Sequence, residues 1–467
     1  MDLAPEAQRL AVIVVAVVVL WFTEALPLAV TALLGAAACV IAGVAPADTV
    51  FAPFADPLIF LFIGSFLLAE AIRIHGLDRR LAYAVLAVPW VGERPVRVLG
   101  AVAVVSMLIS AFVSNTVTAA MMLAIVSGIL AAIEEAGRRS GRGPDPAFAT
   151  GLFLCIAFAA SIGGLATPIG TPTNLIGLKF IRDELGVPVS FPGWCGIGLP
   201  VVAVLGVVCV TVLAKLFPAG VDRLEGVTAY VAGERARLGR WTTGQWSTAL
   251  AFAVTVALWV VPGALLAAVG PDDPRSLWWK RHMPEGVAAL VGAVLLFILP
   301  GDRDAEGRRR RAVSWREARI DWDIVLLYGG GLALGELCFT TGLAAAVGRA
   351  ITGWIPAGPS AAVTLVAVAA LVAVVTSEFT SNVASATMVV PIVIAMGRAA
   401  GVNPLAAALA ATFAASLGFM MPVSSPCNAI VYGSGRIPLR AMMTSGALLD
   451  VVGTAVITAA MLVVAAA

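Results

Sequence analysis

The sequence predicts an all-α polytopic membrane protein that is built from two related halves. Of its 467 residues, 60% are hydrophobic and 12% are charged, whereas a soluble domain carries about 25% charged residues. The apolar residues form runs long enough to cross a hydrocarbon core of roughly 30 Å as helices, and no alternating pattern indicates the strands of a barrel. A polar tripeptide also occurs twice inside apolar runs, as Ser114-Asn115-Thr116 and as Ser381-Asn382-Val383.

Reading the apolar runs in order predicts about 11 transmembrane helices and two re-entrant hairpins. In each hairpin two apolar runs are separated only by a short polar stretch at the tripeptide, so the chain is expected to turn back within the membrane. A run interrupted by proline and asparagine follows each hairpin, as TPIGTPTN in the first half and as MPVSSPCN in the second. The predicted spans are residues 8–24, 26–44, 58–75, 79–92, 97–113, 116–133, 148–167, 195–217, 247–268, 285–300, 323–347, 360–377, 383–397, 404–422 and 442–466.

The order of helices, hairpin and broken helix is the same in both halves. We expect a first transmembrane helix over residues 1–25, a first repeat over 26–217, a cytoplasmic connector over 218–246 and a second repeat over 247–467. Each repeat contains scaffold helices, a hairpin with the tripeptide at its tip, and a broken helix. Because an odd number of crossings separates the repeats, they are expected to be inverted relative to each other.

The basic residues predict an orientation in the cell inner (plasma) membrane. With the N-terminus in the cytoplasm, 20 of the 30 Lys and Arg residues fall in inner connections, as the positive-inside rule favours. The cluster of Arg73, Arg79 and Arg80 and the pair Lys280-Arg281 fall outside in this arrangement, and we interpret them as interfacial anchors. Since MDLAPEAQRL leads directly into an apolar run without a small-residue cleavage site, we expect the first helix to be retained.

The tripeptides place Ser, Asn and Thr where one helix ends and another begins. These residues cap helix N-termini, so a purely structural role is one interpretation of either copy. A polar turn at membrane depth, however, persists only where it is buried in protein or lines a cavity. The free N–H groups and partial positive charge of a helix N-terminus suit a carboxylate or a sulfate. Two copies in corresponding positions therefore favour the anion site of a transporter, built from both halves.

The two broken runs predict a second kind of ligand. Pro168 and Pro172 remove backbone donors and Gly170 permits unusual torsions, so carbonyl oxygens are left free to point inward. Pro422 and Pro426 have the same effect in the second half. Carbonyl, hydroxyl and amide oxygens suit a hard monovalent cation such as sodium, which the C-terminal ends of half-helices also favour. Sodium is therefore expected as a coupling ion, and no other cofactor is expected.

Few residues in the sequence fit enzymatic or redox chemistry. The six cysteines are scattered without a CxxC pair, and the two histidines, His75 and His282, are far apart, which indicates packing residues. The sequence has no HExxH motif, so it disfavours an intramembrane hydrolase and predicts that the protein is not an enzyme. A formal charge of +2 gives no sign of a nucleic-acid partner. The residues alone leave a passive channel open.

The paired tripeptides, the breaks TPIGTPTN and MPVSSPCNAIVYGSG, and the stretch DPLIFLFIGSFLLAEAIRIHGLDRRLA together resemble the divalent anion/sodium symporter family. These are transporters of di- and tricarboxylates and of sulfate. The resemblance extends from about residue 12 to residue 465. It implies a homodimer in the lipid bilayer whose scaffold domain holds the dimer interface. It also implies a transport domain that carries both hairpins and moves across the membrane as an elevator.

The resemblance implies a secondary active transporter that imports a small divalent anion together with sodium. The expected substrate is a C4-dicarboxylate such as succinate, malate or fumarate. A sodium-independent dicarboxylate exchanger remains an alternative within this class. So does a carrier of sulfate, citrate or arsenite.

Carried over motif by motif, the resemblance implies two sets of site residues. The substrate would contact residues of both tips and both breaks, namely Ser114, Asn115, Thr116, Thr171, Ser381, Asn382, Val383 and Ser425. One sodium site would use Ser110, Ser114, Asn115 and Gly170, and its symmetric mate would use Ser377, Thr380, Asn382 and Ser424.

Three residues depart from common choices in the family. Val383 stands where many bacterial members have threonine, and Ser377 and Ser424 also differ. Losing the hydroxyl at position 383 removes at most one hydrogen bond, worth about 0.5 to 1.5 kcal/mol net. The substitution therefore bears on which anion is carried more than on whether transport occurs.

Four acidic residues, Glu24, Glu70, Glu336 and Glu378, interrupt apolar runs. A carboxylate within a membrane is a functional candidate by default. For Glu378, beside the second tip, a hydrogen-bonded structural role and a role in ion coupling are both open. The other three are expected near helix ends or in internal pairs.

Overall fold

Helices make up nearly all of the regular structure of the protein. The computed structural model describes residues 3–140, 143–270, 272–304, 306–351 and 360–466, so Arg142, one of the basic residues counted above, lies outside the described residues. The helices of the first half are α1 (Pro5–Thr23), α2 (Leu28–Ile41), α3 (Ala47–Phe51), α4 (Pro57–Ile74), α5 (Leu77–Leu86), α6 (Pro95–Ser110), α7 (Asn115–Ser140), α8 (Pro146–Gly163), α9 (Pro172–Leu185) and α10 (Phe191–Leu216).

The second half has the same kinds of element. It also has two short antiparallel strands, β1 (Pro300–Arg303) and β2 (Arg309–Arg311), which form a hairpin ahead of the helix that begins at Trp322. The helices are α11 (Val227–Arg237), α12 (Thr243–Val269), α13 (Pro274–His282), α14 (Glu285–Ile298), α15 (Trp322–Thr340), α16 (Leu343–Ile351), α17 (Ala361–Phe379), α18 (Asn382–Ala399), α19 (Leu405–Ala414), α20 (Pro426–Tyr432) and α21 (Leu439–Ala466).

Ten of the helices in the described ranges are long and apolar enough to cross a membrane, and the bent pair of α13 and α14 is a further candidate. A 3-10 turn at Ala52–Ala55 joins α3 to α4, and together they form one of the ten, a 28-residue helix. The predicted all-α polytopic fold class is confirmed. The hairpins are α6 with α7 and α17 with α18, and the broken helices are α8–α9 and α19–α20.

Three helices begin with the sequence Asp-Pro. The carboxylates of Asp56, Asp145 and Asp273 accept hydrogen bonds from the backbone N–H two residues later, at 2.9, 2.8 and 2.8 Å. Proline at the first helical position loses no hydrogen bond there, and the aspartate satisfies one of the free N–H groups. These caps fix where α4, α8 and α13 start.

The predicted span over residues 79–92 is wrong, because α5 does not cross the membrane. With ten residues it is about 15 Å long, half of what a crossing needs. Both of its flanks contact the connector: Arg80 Nη2 donates to Leu238 O at 2.9 Å, and Leu224 N donates to Glu93 O at 2.8 Å. The helix is amphipathic, which an apolar average over the run conceals.

Without this crossing, the start of α1 and the connector lie at opposite ends of the molecule. Gln245 Nε2 donates to His75 O at 2.9 Å, so the C-terminal end of α4 lies at the connector end of the molecule. Arg9 Nη1 donates to Ala42 O at 2.9 Å, so α1 begins where α2 ends, at the opposite end. With α6–α7 and α17–α18 counted as hairpins and each broken helix counted as one crossing, each half has five crossings and one hairpin, and α1, α2 and α4 occupy the same places in the order as α12, α14 and α15.

The connector end is held together by Asp302 of β1. Its carboxylate accepts hydrogen bonds from Gly244 N and Thr242 Oγ1, both at 3.0 Å, and lies 3.5 Å from His75 Nδ1. Partial burial raises the pKa of this carboxyl, but these hydrogen bonds outweigh burial and leave the pKa below its usual value. The other ring nitrogen of His75 lies 2.7 Å from Ala312 O.

The helices pack in two groups. The frame group comprises α1–α4, α12, α14 and α15, and the hairpin group comprises α6–α10 and α17–α21. Glycines bring the frame helices close together, since a Cβ at Gly64 would meet the backbone of Ala289 at 2.6 Å and one at Gly330 would meet Ala32 at 2.7 Å. Small residues at such contacts are typical of membrane helices. The candidate site lies where the two groups face each other.

Candidate functional site

The two broken helices cross next to each other in the hairpin group. The hydroxyls of Thr173, at the start of α9, and Ser416, after α19, lie 2.6 Å apart. Gly177 of α9 packs directly on the side chain of Thr412, where a Cβ would find no space. The breaks of the first and second halves therefore meet at one place in the fold.

An asparagine bridges each break in the same way. Asn174 Nδ2 donates to Gly164 O and Thr167 O, both at 2.8 Å. Asn428 Nδ2 donates to Gly418 O at 2.9 Å and to Met421 O at 3.0 Å. The two carbonyls precede the asparagine by ten and seven residues in both halves. Each amide thus replaces helical hydrogen bonds that the prolines remove.

The first tip is tied to the first break. Ser110 Oγ, at the end of α6, donates to Asn115 Oδ1 at 2.5 Å. A Cβ at Gly164 would meet Asn115 Oδ1 at 2.6 Å, so only glycine leaves room for this amide. Thr167 Oγ1 donates to the carbonyl of Ala111. The tip therefore has a defined position relative to the break.

The second tip repeats this arrangement. Ser377 Oγ is 2.8 Å from both Asn382 Oδ1 and Ala415 O, and Ser424 Oγ donates to Gly418 O at 2.7 Å. Ser381 caps α18 by accepting a hydrogen bond from Ala384 N at 3.1 Å, and Thr380 Oγ1 donates to Thr376 O at 2.8 Å. The expected capping role of the tripeptide is present here and is compatible with a binding role.

A cavity of about 400 Å³ lies between the tips, the breaks and the frame group. All eight residues proposed for substrate contact line it, namely Ser114, Asn115, Thr116, Thr171, Ser381, Asn382, Val383 and Ser425. The opposite wall comes from the frame group and includes Phe62, Ser65 and Leu327. Towards the connector end the cavity reaches Leu28 and Asp321.

The cavity suits an anion without a fixed positive side chain. Helices α7, α9 and α18 all begin at residues that line it or adjoin its lining. Helix N-termini carry partial positive charge and free N–H groups. No Lys or Arg occurs among the described residues that line the cavity. An anion held in this way is released more easily than one paired with a buried arginine, because no buried full charge is left behind.

The residues proposed for sodium divide into two layers. Four of them line the cavity, namely Ser114, Asn115, Gly170 and Asn382. The other four, Ser110, Ser377, Thr380 and Ser424, are fully buried behind the tips. Around the second tip this brings together oxygens of Ser377, Asn382, Ala415, Gly418 and Ser424. Neutral oxygens of this kind match the ligand preference of a hard monovalent cation. The described residues contain no cluster of three or more His, Cys, Asp or Glu side chains that fits a metal ion.

The second half differs from the first by a pair of buried carboxyl groups. Glu378 accepts hydrogen bonds from Met420 N at 2.9 Å and from Met421 N at 3.0 Å. Asp450 of α21 accepts one from Phe419 N at 3.4 Å, and its carboxyl adjoins that of Glu378. Three consecutive N–H groups of the second break are thus held by side chains.

The first half has apolar residues at the corresponding positions. Ala111 precedes Ser114 by three residues, as Glu378 precedes Ser381. Gly198 and Gly446 pack on the two breaks at Leu165 and Phe419. Val202 follows Gly198 by four residues, as Asp450 follows Gly446. The two breaks are therefore fixed by different means. Glu378 makes the hydrogen bonds that its structural interpretation requires, and a role in ion coupling stays open beside it.

The other acidic residues lie where the sequence suggested. Glu24 ends α1 with a positive φ of 47°, Glu70 pairs with Arg73, and Glu336 is an exposed residue in the last turns of α15. All six cysteines are free.

Sequence reasoning missed two kinds of residue in this site. Asn174 and Asn428 were not proposed, although each closes a duplicated motif and their equal spacing from the breaks is a usable signal. The residues that the frame group contributes to the cavity wall, such as Phe62, Ser65 and Asp321, belong to no comparable sequence motif. Such residues come from helices distant in sequence, so only the packing of the two groups reveals them.

Comparison with known proteins identifies relatives over nearly the whole chain. The family described as "Sodium:sulfate symporter transmembrane region" matches residues 1–465. A protein named sodium-dependent dicarboxylate transporter SdcS from Staphylococcus saprophyticus is 32% identical over 432 residues, which cover 91% of this chain and 80% of that protein. SdcS from Staphylococcus aureus is 30% identical over 445 residues, covering 94% and 82%.

Solved structures with a similar fold are also transport proteins. The Alcanivorax borkumensis YdaH transporter superposes with a TM-score of 0.53 at 13% identity, covering 88% of this chain and 85% of its own. Neisseria gonorrhoeae MtrF, from a class of antimetabolite efflux pumps, superposes with a TM-score of 0.54 at 14% identity, covering 87% and 81%. At these identities the likeness concerns the fold alone.

Proposed function

This chain belongs to the sodium:sulfate symporter family, and from that membership and the cavity between the two tips we propose that it imports a C4-dicarboxylate with sodium. The protein is a transporter and not an enzyme. Succinate, malate and fumarate are the proposed substrates. The supporting observation is that one cavity is lined by both tripeptides and both breaks. Directly behind the second tip lie neutral oxygens of the kind that bind sodium.

In the proposed mechanism, sodium and substrate share the tip asparagines. Each asparagine side chain lines the cavity and also accepts a hydrogen bond from a serine buried behind it. A cation bound behind the tip would fix the amide and add positive charge next to the anion. Each ligand then favours binding of the other, which is the thermodynamic requirement for coupling.

We further propose that the structure represents a state that opens towards the connector end. The cavity reaches exposed Asp321 at that end. On the opposite side, α9 of the hairpin group is joined to the frame group by Asp56, whose carboxylate lies 3.2 Å from Lys179 Nζ and 3.1 Å from Arg182 Nη2. An elevator movement of the hairpin group would separate these charges, so the ion pairs would stabilise this state. A homodimer through the frame group is part of the same proposal.

We propose that the connector lies in the cytoplasm, as expected from the sequence, but that the start of α1 lies outside, opposite to the expectation. Without a crossing at α5, Arg73, Arg79 and Arg80 move to the connector side and Arg9 leaves it, so the inner count rises from 20 to 22 of 30 basic residues. The positive-inside rule therefore favours this orientation more strongly. The three arginines no longer need a separate explanation as anchors.

Cysteine labelling tests this orientation. We expect Glu6→Cys to react with a membrane-impermeant maleimide in intact cells, and Arg309→Cys to react only after lysis, because both positions are exposed and lie at opposite ends. The unsubstituted chain gives the background from its own cysteines. The reverse pattern would restore a cytoplasmic N-terminus.

Sodium dependence tests the proposed function. Uptake of labelled succinate into proteoliposomes is expected to be concentrative with an inward sodium gradient and to collapse when choline replaces external sodium, because the tip amides need the cation. Potassium is not expected to restore it. Uptake that persists in choline and accelerates with unlabelled dicarboxylate inside would identify a sodium-independent exchanger. Flux that neither saturates nor depends on a gradient would identify a channel.

A valine-to-threonine change tests whether the second tip faces the substrate. Val383 lines the cavity, and threonine has nearly the same shape, so Val383→Thr adds a hydrogen-bond donor with little change in packing. One hydrogen bond of about 0.5 to 1.5 kcal/mol corresponds to a few-fold change in apparent affinity. Competition of succinate, malate, citrate and sulfate against labelled substrate measures it. Identical curves for both forms would show that this side chain does not contact the anion.

A further inference from the structure

A second, larger cavity lies at the connector end of the hairpin group, away from the two tips. Its volume is about 970 Å³, and it is an open cleft bordered by the start of α6, the start of α8, the end of α10 and the segment after α10. The hydrogen bond from Leu224 N to Glu93 O, 2.8 Å long, closes one side. We call it the connector-end cavity. None of its lining residues lines the cavity between the tips.

The rim of the connector-end cavity is basic. Arg94, Arg97 and Arg223 line it together with a single carboxylate, Asp222, so the rim carries an excess of two positive charges. Among the described residues, Arg94 and Arg223 have no ion-pair partner. Arg97 donates through Nη1 to Trp90 O at 2.8 Å. Most guanidinium donors at this rim are therefore available to an anion.

The floor of the same cavity is apolar. Leu99, Phe148, Val210 and Phe217 line it. Gly100 of α6 also faces it, and a Cβ built there meets nothing within 4 Å. A ligand that fills this space needs a negatively charged part for the arginines and an apolar part for the floor. A small soluble anion satisfies only the first requirement.

The position of the cavity suits a lipid. The rim lies at the connector end, where the hairpin helix α6 begins and the membrane-crossing helix α10 ends. The end of a membrane-crossing helix is expected at the depth where phosphate headgroups meet acyl chains. Trp90 lies at the rim with the Arg97 guanidinium 4.8 Å from the centre of its ring, and tryptophan is enriched at this depth of a membrane. Basic pockets between membrane helices bind anionic lipid headgroups.

We propose that the connector-end cavity binds an anionic glycerophospholipid, with its phosphate between Arg94 and Arg223 and an acyl chain over Gly100 and Phe217. The site is independent of substrate transport, and its occupancy links α6, α8 and α10. Phosphatidylglycerol is the probe for an anionic headgroup, and phosphatidylcholine with the same chains is the neutral control.

Native mass spectrometry of the delipidated, purified protein tests the proposal. We expect phosphatidylglycerol to bind at one site more tightly than phosphatidylcholine. Each arginine near a membrane surface is worth about a fivefold change in affinity, so Arg94→Gln with Arg223→Gln should weaken that binding about 30-fold. The matched control, Arg235→Gln with Arg240→Gln, removes the same charge from exposed positions outside the cavity and should leave it unchanged.

A second variant keeps every charge and fills the floor. Gly100→Leu places a side chain into open space within a helix, so the fold is preserved while the acyl-chain position is blocked. We expect this variant to lose the tight phosphatidylglycerol site too. The proposal is overturned if both variants bind phosphatidylglycerol like the parent protein, if phosphatidylcholine binds equally well, or if inorganic phosphate at matched concentration displaces the lipid completely.

Discussion

Asn115→Ala and Asn382→Ala are each expected to abolish sodium-driven uptake while the purified protein stays folded. Each amide lines the cavity and accepts a hydrogen bond from Ser110 or Ser377 behind it. Alanine removes the oxygen proposed for sodium and the group proposed for the anion in one step, so both ligands lose a contact. It also leaves a buried serine hydroxyl short of one partner, at a cost of about 1 to 3 kcal/mol.

The measurement is initial uptake of labelled succinate into proteoliposomes, with thermal unfolding recorded on the same preparations. Asn403→Ala is the matched control, since it removes an asparagine from an exposed loop where the side chain only caps Leu405 N at 3.0 Å. We expect the control to transport normally. Transport near the parent rate in either tip variant would remove the two-tip site from consideration.

A sodium titration tests the cation role and the anion role of each amide separately. If both amides serve a cation, each variant should also lose the sodium-dependent rise in unfolding temperature that we expect from the parent protein, because a ligand that binds only the folded state stabilises it. A variant that loses uptake but keeps the full sodium effect would place that amide at the anion alone.

Much of this site was predictable from sequence because its parts are local. The tripeptides and the Pro/Asn breaks are short motifs whose geometry depends on a few neighbouring residues, such as Ser110 five residues before Asn115. Their duplication then indicated that the parts form one site. The eight residues proposed for the substrate line a single cavity for this reason.

The predicted membrane span at α5 was wrong because composition does not show how an apolar run lies relative to the membrane. The run LAYAVLAVPW is as apolar as a short membrane span, but its helix ends after ten residues and its flanks bind the connector. Composition measures how apolar a run is and not whether it lies along the membrane surface or across it. One such error inverts every assignment that precedes it, which is why the expected and proposed orientations of α1 differ.

The pairing of Glu378 with Asp450 was beyond sequence reasoning as well. The two residues lie on α17 and α21 and meet only because both helices pack on the second break. Nothing in either local sequence indicates the partner. A single intramembrane glutamate suggests function in general terms, whereas the structure shows which backbone groups it holds.

Glu378→Ala is therefore expected to abolish uptake and to lower stability by more than the tip variants do. The change leaves Met420 N and Met421 N without their acceptors at a half-buried position. An unsatisfied buried donor costs about 1 to 3 kcal/mol, so the loss of both bonds costs at most about 2 to 6 kcal/mol. The segment that carries the carbonyls of Gly418 and Met421 would lose its fixed position, and with it the proposed second cation site.

Glu378→Gln distinguishes this role from a requirement for charge. Glutamine keeps an oxygen for one of the two N–H groups, and its amide nitrogen is a donor for the adjoining Asp450 carboxyl. If the side chain acts by holding the second break, Glu378→Gln should unfold at a temperature between those of the parent and Glu378→Ala and should retain measurable sodium-driven uptake. Glu336→Ala, on an exposed face of α15, controls for the loss of a membrane carboxylate and should match the parent in both assays. A stable but inactive Glu378→Gln would instead mean that the negative charge itself takes part in coupling, because transport would be lost while the second break was still held.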